Sequence, residues 1–298
     1  MPHQVGYCCI NLTLGKQKIT TGRTLRQASF RQDTKLERTS LLTLQNAMDL
    51  VTILKWNVTN NVRVFRIGSN IFPWFEEYHE TDLPDYQQIL LALREAGEII
   101  MASGMRVSFH PDHFVKLASN KPQVVERSFK NLHHHNLLYQ MMGIPGGHYY
   151  PLNIHVGMNY SQDVVSKFCE QFQNLNTPTQ QRLVVENDDK ANSFSVKQLY
   201  EDIYTRIKTP ITFDYFHHTF HTDGLSSQQA AELAASTWDT TPLFHYSESR
   251  NLNENVHGNP RAHSDYTLWK INDFGLNIDV DLEAKAKELA YFKYLEIV

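Results

Sequence analysis

The sequence predicts an α/β protein, a (β/α)8 TIM-type barrel forming one domain over residues 1–298. Eight short runs rich in β-branched and aromatic residues recur along the chain. Helix-patterned stretches separate them, which indicates a parallel sheet with helical crossovers. Eight such units in 298 residues suit one closed barrel better than two open sheets.

The strand candidates are residues 5–12, 62–67, 105–110, 152–156, 182–186, 211–215, 242–246 and 278–282. Between the first two, residues 41–56 place Leu41, Leu44, Ala47, Met48, Val51 and Leu54 at helical spacing along one face. Residues 85–103 repeat the pattern with Ile89, Leu90, Leu93, Ile99 and Ile100. Residues 128–142, 161–174, 195–207 and 226–237 follow it in shorter form, and the chain from Glu283 onward reads as a final helix. Two stretches, 15–38 and 248–261, have no clear period. Long irregular segments inside a compact barrel are usually functional or mobile. Both emerge from strand C-termini, the face on which barrel enzymes carry their active sites.

Composition narrows the function. Hydrophobic residues make up 41% of the chain, ample for a large core, and no apolar run is long enough to span a bilayer. No charged-then-apolar leader is visible, so a cytoplasmic setting is expected, at the nucleoid if the source is prokaryotic. Cys8, Cys9 and Cys169 are too few, and odd in number, for a disulfide framework. The net charge of −4 speaks mildly against a nucleic-acid binder. Its distribution speaks the other way. Lys16, Lys18, Arg23, Arg26, Arg31, Lys35 and Arg38 crowd one segment against only Asp33 and Glu37. Bound divalent cations would also reverse the local charge.

The chemistry sits at the strand ends. Strand three ends in Ser108-Phe109-His110, strand four in Asn153-Ile154-His155, strand five in Val185-Glu186-Asn187-Asp188 and strand six in Phe213-Asp214-Tyr215-Phe216-His217. Strand seven carries Phe244-His245, His263 follows the second long loop, and strand eight ends in Asp281-Leu282-Glu283. One such histidine is more often a hydrogen-bonded core residue than a ligand. Burying so many imidazoles and carboxylates together makes physical sense when cations share them. A donor set of His, Asp and Glu without Cys favours Mn²⁺ or Zn²⁺. Asp189 and Lys190 are expected to form an ordinary solvated pair. At least one of His133, His134 and His135 is expected on a helix surface.

The motifs together resemble the UV damage endonuclease family. They include Gly6-Tyr7 with Asn11-Leu12-Thr13-Leu14, Phe65-Arg66-Ile67-Gly68-Ser69-Asn70-Ile71-Phe72-Pro73 and Val107-Ser108-Phe109-His110-Pro111. Val184-Val185-Glu186-Asn187-Asp188, Phe213-Asp214-Tyr215-Phe216-His217-His218, Ala262-His263-Ser264-Asp265-Tyr266 and Leu282-Glu283-Ala284-Lys285 follow in the family's order. The resemblance implies a barrel related to endonuclease IV with two or three divalent ions, Mn²⁺ favoured. It implies that His110, His155 and Glu186 bind one ion. Glu186 bridges to a second, completed by Asp214, His245 and Glu283, while His217 and His263 hold a third. Glu186, His245 and His217 are the implied catalytic residues, and His79 is a further site histidine. Tyr7 and Asn11 stand where the family receives a flipped lesion. His113 and Phe114 replace the Gln-Tyr pair that family members wedge into the duplex. Leu243 stands where some members have a lysine that can be carboxylated, and Arg261 where endonuclease IV has an aspartate ligand.

The implied function is metal-dependent DNA repair. A monomeric enzyme would nick double-stranded DNA immediately 5′ of cyclobutane dimers and 6-4 products, with abasic sites as a further substrate, through a metal-activated water. Arg23, Arg26, Lys116 and Lys121 are the expected backbone contacts. The metal motif by itself also fits a sugar isomerase of the xylose isomerase type or a general abasic-site endonuclease.

Overall fold

The structure, a computed structural model, describes residues 4–30 and 35–298, apart from the side chain of Ser29. Arg31 and Asp33 of the basic segment lie outside the described residues. The strands are β1 (Gln4–Cys9), β2 (Val64–Ile67), β3 (Arg106–Phe109), β4 (Leu152–Ile154), β5 (Leu183–Glu186), β6 (Ile211–Thr212), β7 (Leu243–Tyr246) and β8 (Asp279–Leu282). They pair in the order β6-β5-β4-β3-β2-β1-β8-β7, and every pair is parallel. A parallel bridge between Asp214 and His245 joins the two ends, with His245 N donating to Phe213 O at 3.0 Å. The eight strands therefore form a nearly closed TIM barrel.

Helices Lys35–Thr59, Tyr86–Ser103, Pro122–Met141, Gln162–Asn174, Ser227–Ala235 and Glu288–Leu295 pack outside it. Residues 196–207 form one rod that widens to a π winding over Leu199–Tyr204. Helix Lys35–Thr59 buries Ala47, Leu50, Val51, Ile53 and Leu54, each large apolar side chain contributing about 1.5–3 kcal/mol when fully buried. Leu41 and Met48, expected on that face, are 62% and 50% exposed. The true face carries polar residues with internal partners, which disguised it. Asn46 Nδ2 donates to Ile71 O at 3.1 Å, and Asn57 accepts from Tyr7.

Two element ends differ from expectation, and both matter for the site. Strand β1 stops at Cys9, whose φ of +69° is the left-handed region that breaks a strand. Asn11 then caps the short helix Leu12–Gly15 by accepting from Leu14 N at 2.8 Å. At the other end the last helix begins at Glu288 instead of Glu283. Glu283 extends β8 toward the barrel mouth, its N donating to Tyr246 O. Gly6 is required where β1 meets β2, because a Cβ there would lie 1.6 Å from the Val64 carbonyl oxygen.

Period-two alternation sends every second side chain of a strand to one face. On β3 and β8 it builds a polar axis inside the barrel. At the foot, buried Arg106 donates to Asp279 at 2.9 Å and to Pro242 O at 3.2 Å. One step up, Ser108 Oγ donates to Asp281 at 2.9 Å. Near the mouth, Arg66 of β2 reaches Glu283 at 2.5 Å.

The segment between β7 and β8 has only the short helix Arg250–Asn253. The buried Glu248 carboxylate organises it, accepting from Leu268 N at 2.9 Å, Trp269 N at 3.0 Å and Tyr246 Oη at 2.9 Å. Among the described residues no helix is long and apolar enough to cross a membrane.

Candidate metal centre

Glu186, the last residue of β5, lies at the middle of the mouth and is 1% exposed. His110 Nε2 lies 3.1 Å from its Oε2, and His245 Nδ1 lies 3.1 Å from the same oxygen. His217 Nδ1 and His155 Nε2 face its other oxygen at 3.4 and 3.8 Å. Asn153 Nδ2 also donates to Oε2. His245 Nδ1 is 3.2 Å from Glu283 Oε1, and His263 Nδ1 is 3.8 Å from Glu283 Oε2. Asp214 is held by a clamp from Asn187, whose Oδ1 accepts from Asp214 N at 2.8 Å and whose Nδ2 donates to Asp214 O at 3.1 Å. Its own Oδ1 accepts from His217 N at 2.7 Å and starts the short helix Tyr215–Phe220, which aims His217 back at the site.

The donor set fits divalent cations. Glu186 Oε1 and Asp214 Oδ2 are buried without a hydrogen-bond partner. Buried polar groups are normally satisfied, so this concentration of unspent lone pairs at one point suits an ion. The ligand atoms fall into three overlapping groups, each within 4.8 Å. These are His110 with Glu186 and His245, His155 with Glu186 and His217, and Glu186 with Asp214, His245 and Glu283. Glu186 belongs to all three.

The last group has the same membership as the expected second ion's ligands. The others are shared out differently. His110 groups with His245, and His155 with His217. His263 joins no group among the described residues, although its Nδ1 approaches Glu283 O at 3.0 Å.

Charge follows geometry. Burial pushes the Glu186 carboxyl up, but His245, His155 and His110 outweigh it and hold it well below the usual range. Burial likewise raises Glu283, and Arg66 and His245 bring it far down. Burial lowers His217, yet Asp214 and Glu186 lift it to about 10. His245 is lifted to about 9 against burial, chiefly by Glu186 and Glu283. Burial outweighs His217 at Asp214 and pushes that carboxyl up. Without cations, the protons held on His217 and His245 offset part of the carboxylate charge.

A cavity of about 410 Å³ opens over the cluster, lined by His110, His113, Lys116, His155, Asp188, His217, Arg261 and His263 among others. Phe114, next to His113 in the chain, stands 69% exposed and lines a neighbouring cavity with Lys116 and Arg127, its ring 4.0 Å from that of His113.

Other expected residues are placed elsewhere. Tyr7 and Asn11 are 0% and 1% exposed. Tyr7 Oη donates to Asn57 at 2.7 Å and accepts from Asn11 at 2.9 Å. As they stand these two side chains close the end of β1 and present nothing to a lesion. Arg23 also turns inward, to Asp49 at 2.7 Å and to Thr20 O at 2.6 Å. Arg26 is exposed. His79 borders a separate cavity with Glu76, Glu80 and His133. Of the helical triplet, His133 is exposed, while His134 and His135 are buried, and burial drives His135 down to about 3. Asp189 pairs with Arg261 at 2.8 Å, so the expected solvated pair with Lys190 is corrected.

Sequence reasoning passed over Asn153, Asp188 and Arg66. The first two were legible: Asn153 lies two residues before His155, and Asp188 two after Glu186, so alternation puts each on its neighbour's face. Asp188 Oδ1 is 3.4 Å from His155 Nδ1, leaving Nε2 toward Glu186.

The family described as UV-endonuclease UvdE matches residues 3–297 of this chain. The chain belongs to that family. Its relatives include a UV DNA damage endonuclease of Bacillus mycoides (strain KBAB4), 30% identical over 290 residues, covering 92% of this chain and 88% of the relative. The crystal structure of SacUVDE superposes with a TM-score of 0.85 at 30% identity, covering 99% of this chain and 97% of the other. Endonuclease IV from Thermus thermophilus shares the fold alone, with a TM-score of 0.55 at 13% identity over 84% of this chain and 96% of the other. Membership of the UV-endonuclease family makes the chain a DNA repair endonuclease for UV damage, and it sets aside the sugar isomerase.

Proposed function

We propose that this endonuclease, acting as a monomer, nicks double-stranded DNA immediately 5′ of cyclobutane dimers and 6-4 products by metal-dependent hydrolysis. The observation that carries the proposal is the Glu186 carboxylate facing four histidines at once, with one oxygen unspent. His110, His155, Glu186, Asp214, His217, His245, His263 and Glu283 would hold two or three ions, Mn²⁺ or Zn²⁺ by donor type. When bound, such ions supply an activated water and neutralise charge on the phosphate.

The chain's own residues do the rest. Glu186, His245 and His217 are the catalytic residues, and Arg66 pins Glu283 so that its carboxylate faces the site. Asn153 and Asn187 fix Glu186 and the Asp214 backbone. The exposed Phe114 ring, backed by His113, fills the gap when a damaged step opens. A photoproduct is poorly stacked and costs less to unstack, so deformability supplies recognition.

The test is incubation with Mn²⁺ and an end-labelled, UV-irradiated duplex, followed by mapping of the break. A cut immediately 5′ of each photoproduct, leaving a 3′-hydroxyl and abolished by EDTA, is expected. Cutting of an abasic duplex alone would replace the photoproduct with an abasic site as substrate. No cut in either duplex would overturn the proposal.

A further inference from the structure

Arg261 lies in the irregular segment before His263 and lines the cavity over the metal-ligand cluster beside His217 and His263. Three features hold its guanidinium in one place. Nε lies 2.8 Å from Asp189 Oδ2. Nε and Nη2 also donate to Asp189 O, each at 3.3 Å. The group sits over the Phe220 ring, 5.1 Å from its centroid. All these contacts use one edge and one face. Among the described residues, Nη1 takes no hydrogen bond, and the side chain is 41% exposed. A guanidinium carries donors in a rigid planar fork, so anchoring one edge aims the other.

We infer that Arg261 is a DNA-phosphate contact of this enzyme, a fixed fork that grips a backbone phosphate beside the scissile one. The inference rests on DNA being the substrate. Lys116 and Lys190 line the same cavity and offset Asp112 and Asp188 there, so the cavity does not repel an anion that Arg261 could grip. Phosphate is the anion that a planar fork recognises with directional hydrogen bonds. Asp189 does not cancel this role. It removes the conformational freedom that a free arginine would lose on binding, which is the benefit of preorganisation. Arg23 is the internal control. Both its terminal nitrogens are occupied by Asp49, Thr20 O and Lys18 O, so it offers no fork to a ligand.

The experiment measures binding of UV-irradiated duplex in EDTA, where no cutting occurs, across about 50–200 mM salt. Arg261→Ala is expected to weaken binding roughly tenfold and to flatten the slope of log affinity against log salt by about one unit. Arg261→Lys should keep the slope and lose part of the affinity, because charge remains and the fork is gone. Asp189→Ala should fall between wild type and Arg261→Ala in affinity with the slope unchanged. Manganese content of the loaded proteins should be the same in all of them. An unchanged slope or an unchanged affinity in Arg261→Ala, or a manganese content of the loaded Arg261→Ala protein below that of wild type, would overturn the inference. Undamaged duplex, run in parallel, keeps the outcomes apart. Arg261 can fail there while wild-type nicking stands, and wild-type nicking can fail while the salt slope still reports on Arg261.

Discussion

The barrel axis carries two buried charged clusters, and they differ in how completely their charges are spent. At the foot, Arg106 faces Asp279 at 2.9 Å and donates from Nε to Tyr149 O at 2.9 Å and from Nη1 to Pro242 O. One cation meets one anion there, backbone carbonyls take up two further bonds, and Nη2 alone lacks a hydrogen-bond partner, in a guanidinium lying over the Tyr149 and Trp238 rings. At the mouth, Glu186, Asp214 and Glu283 meet His110, His155, His217 and His245, and Glu186 Oε1 and Asp214 Oδ2 lack hydrogen-bond partners. Both clusters cost desolvation. The foot recovers it by pairing within the chain, whereas the mouth leaves lone pairs aimed at one point. A closed cluster is structural and an open one is a site for something added.

The sharpest way to break this comparison is at the mouth. Glu186→Gln should reduce nicking by more than roughly 10³-fold, about 4 kcal/mol of barrier, while lesion binding measured in EDTA largely persists. Wild-type turnover by that variant would remove Glu186 from the centre of the site. The matching change at the foot is Arg106→Met, which leaves Asp279 buried and unpaired. It should cost about 3–5 kcal/mol of stability, read from the denaturant midpoint, with manganese content of the folded fraction unchanged.

Manganese and pH sharpen the difference further. Saturating the mouth at about a hundred times the dissociation constant should stabilise the fold by about 2.7 kcal/mol, visible as a rise in Tm. His217 and His245 are held up at about 10 and about 9, against an ordinary value of about 6.5. Their contribution to the metal-free protein is therefore fully present below pH ~6.5 and is lost as pH rises through about 9 to 10. Glu186 and Glu283 are depressed, so theirs is present above the ordinary carboxylate range and lost only in stronger acid. Manganese competes with the imidazole protons, so its affinity should rise with pH. Titration calorimetry showing a pH-independent affinity would contradict this. The smallest expected effect is Arg23→Ala. It should cost about 1 kcal/mol in thermal unfolding, because Asp49 keeps hydrogen bonds from Thr20 N and Gln45 Nε2, and leave the salt slope of DNA binding untouched.

Much of this was legible without coordinates. All eight expected strands exist, each somewhat shorter than its apolar run, because alternation is a local property while pairing sets the ends. The positions of His110, His155, Glu186, Asp214, His245 and Glu283 at strand ends were legible for the same reason. Helix Lys35–Thr59 was found with its face partly misassigned, since Asn46 and Asn57 are polar yet buried through distant partners. Tyr7, Asn11 and Arg23 looked available and are not, because their partners Asn57 and Asp49 come from that same helix.

The sequence by itself determined the alternation of strands and helices, the period-two placement of ligands and the family that these motifs mark. Only the tertiary structure decided which histidines share Glu186, that Arg66 supports Glu283 across 217 residues of chain, and that Asp189 fixes Arg261 across 72. Local propensity acts over a few residues and is written in the sequence. Those pairings depend on how the barrel closes and on which loop crosses its mouth, and no local pattern encodes either.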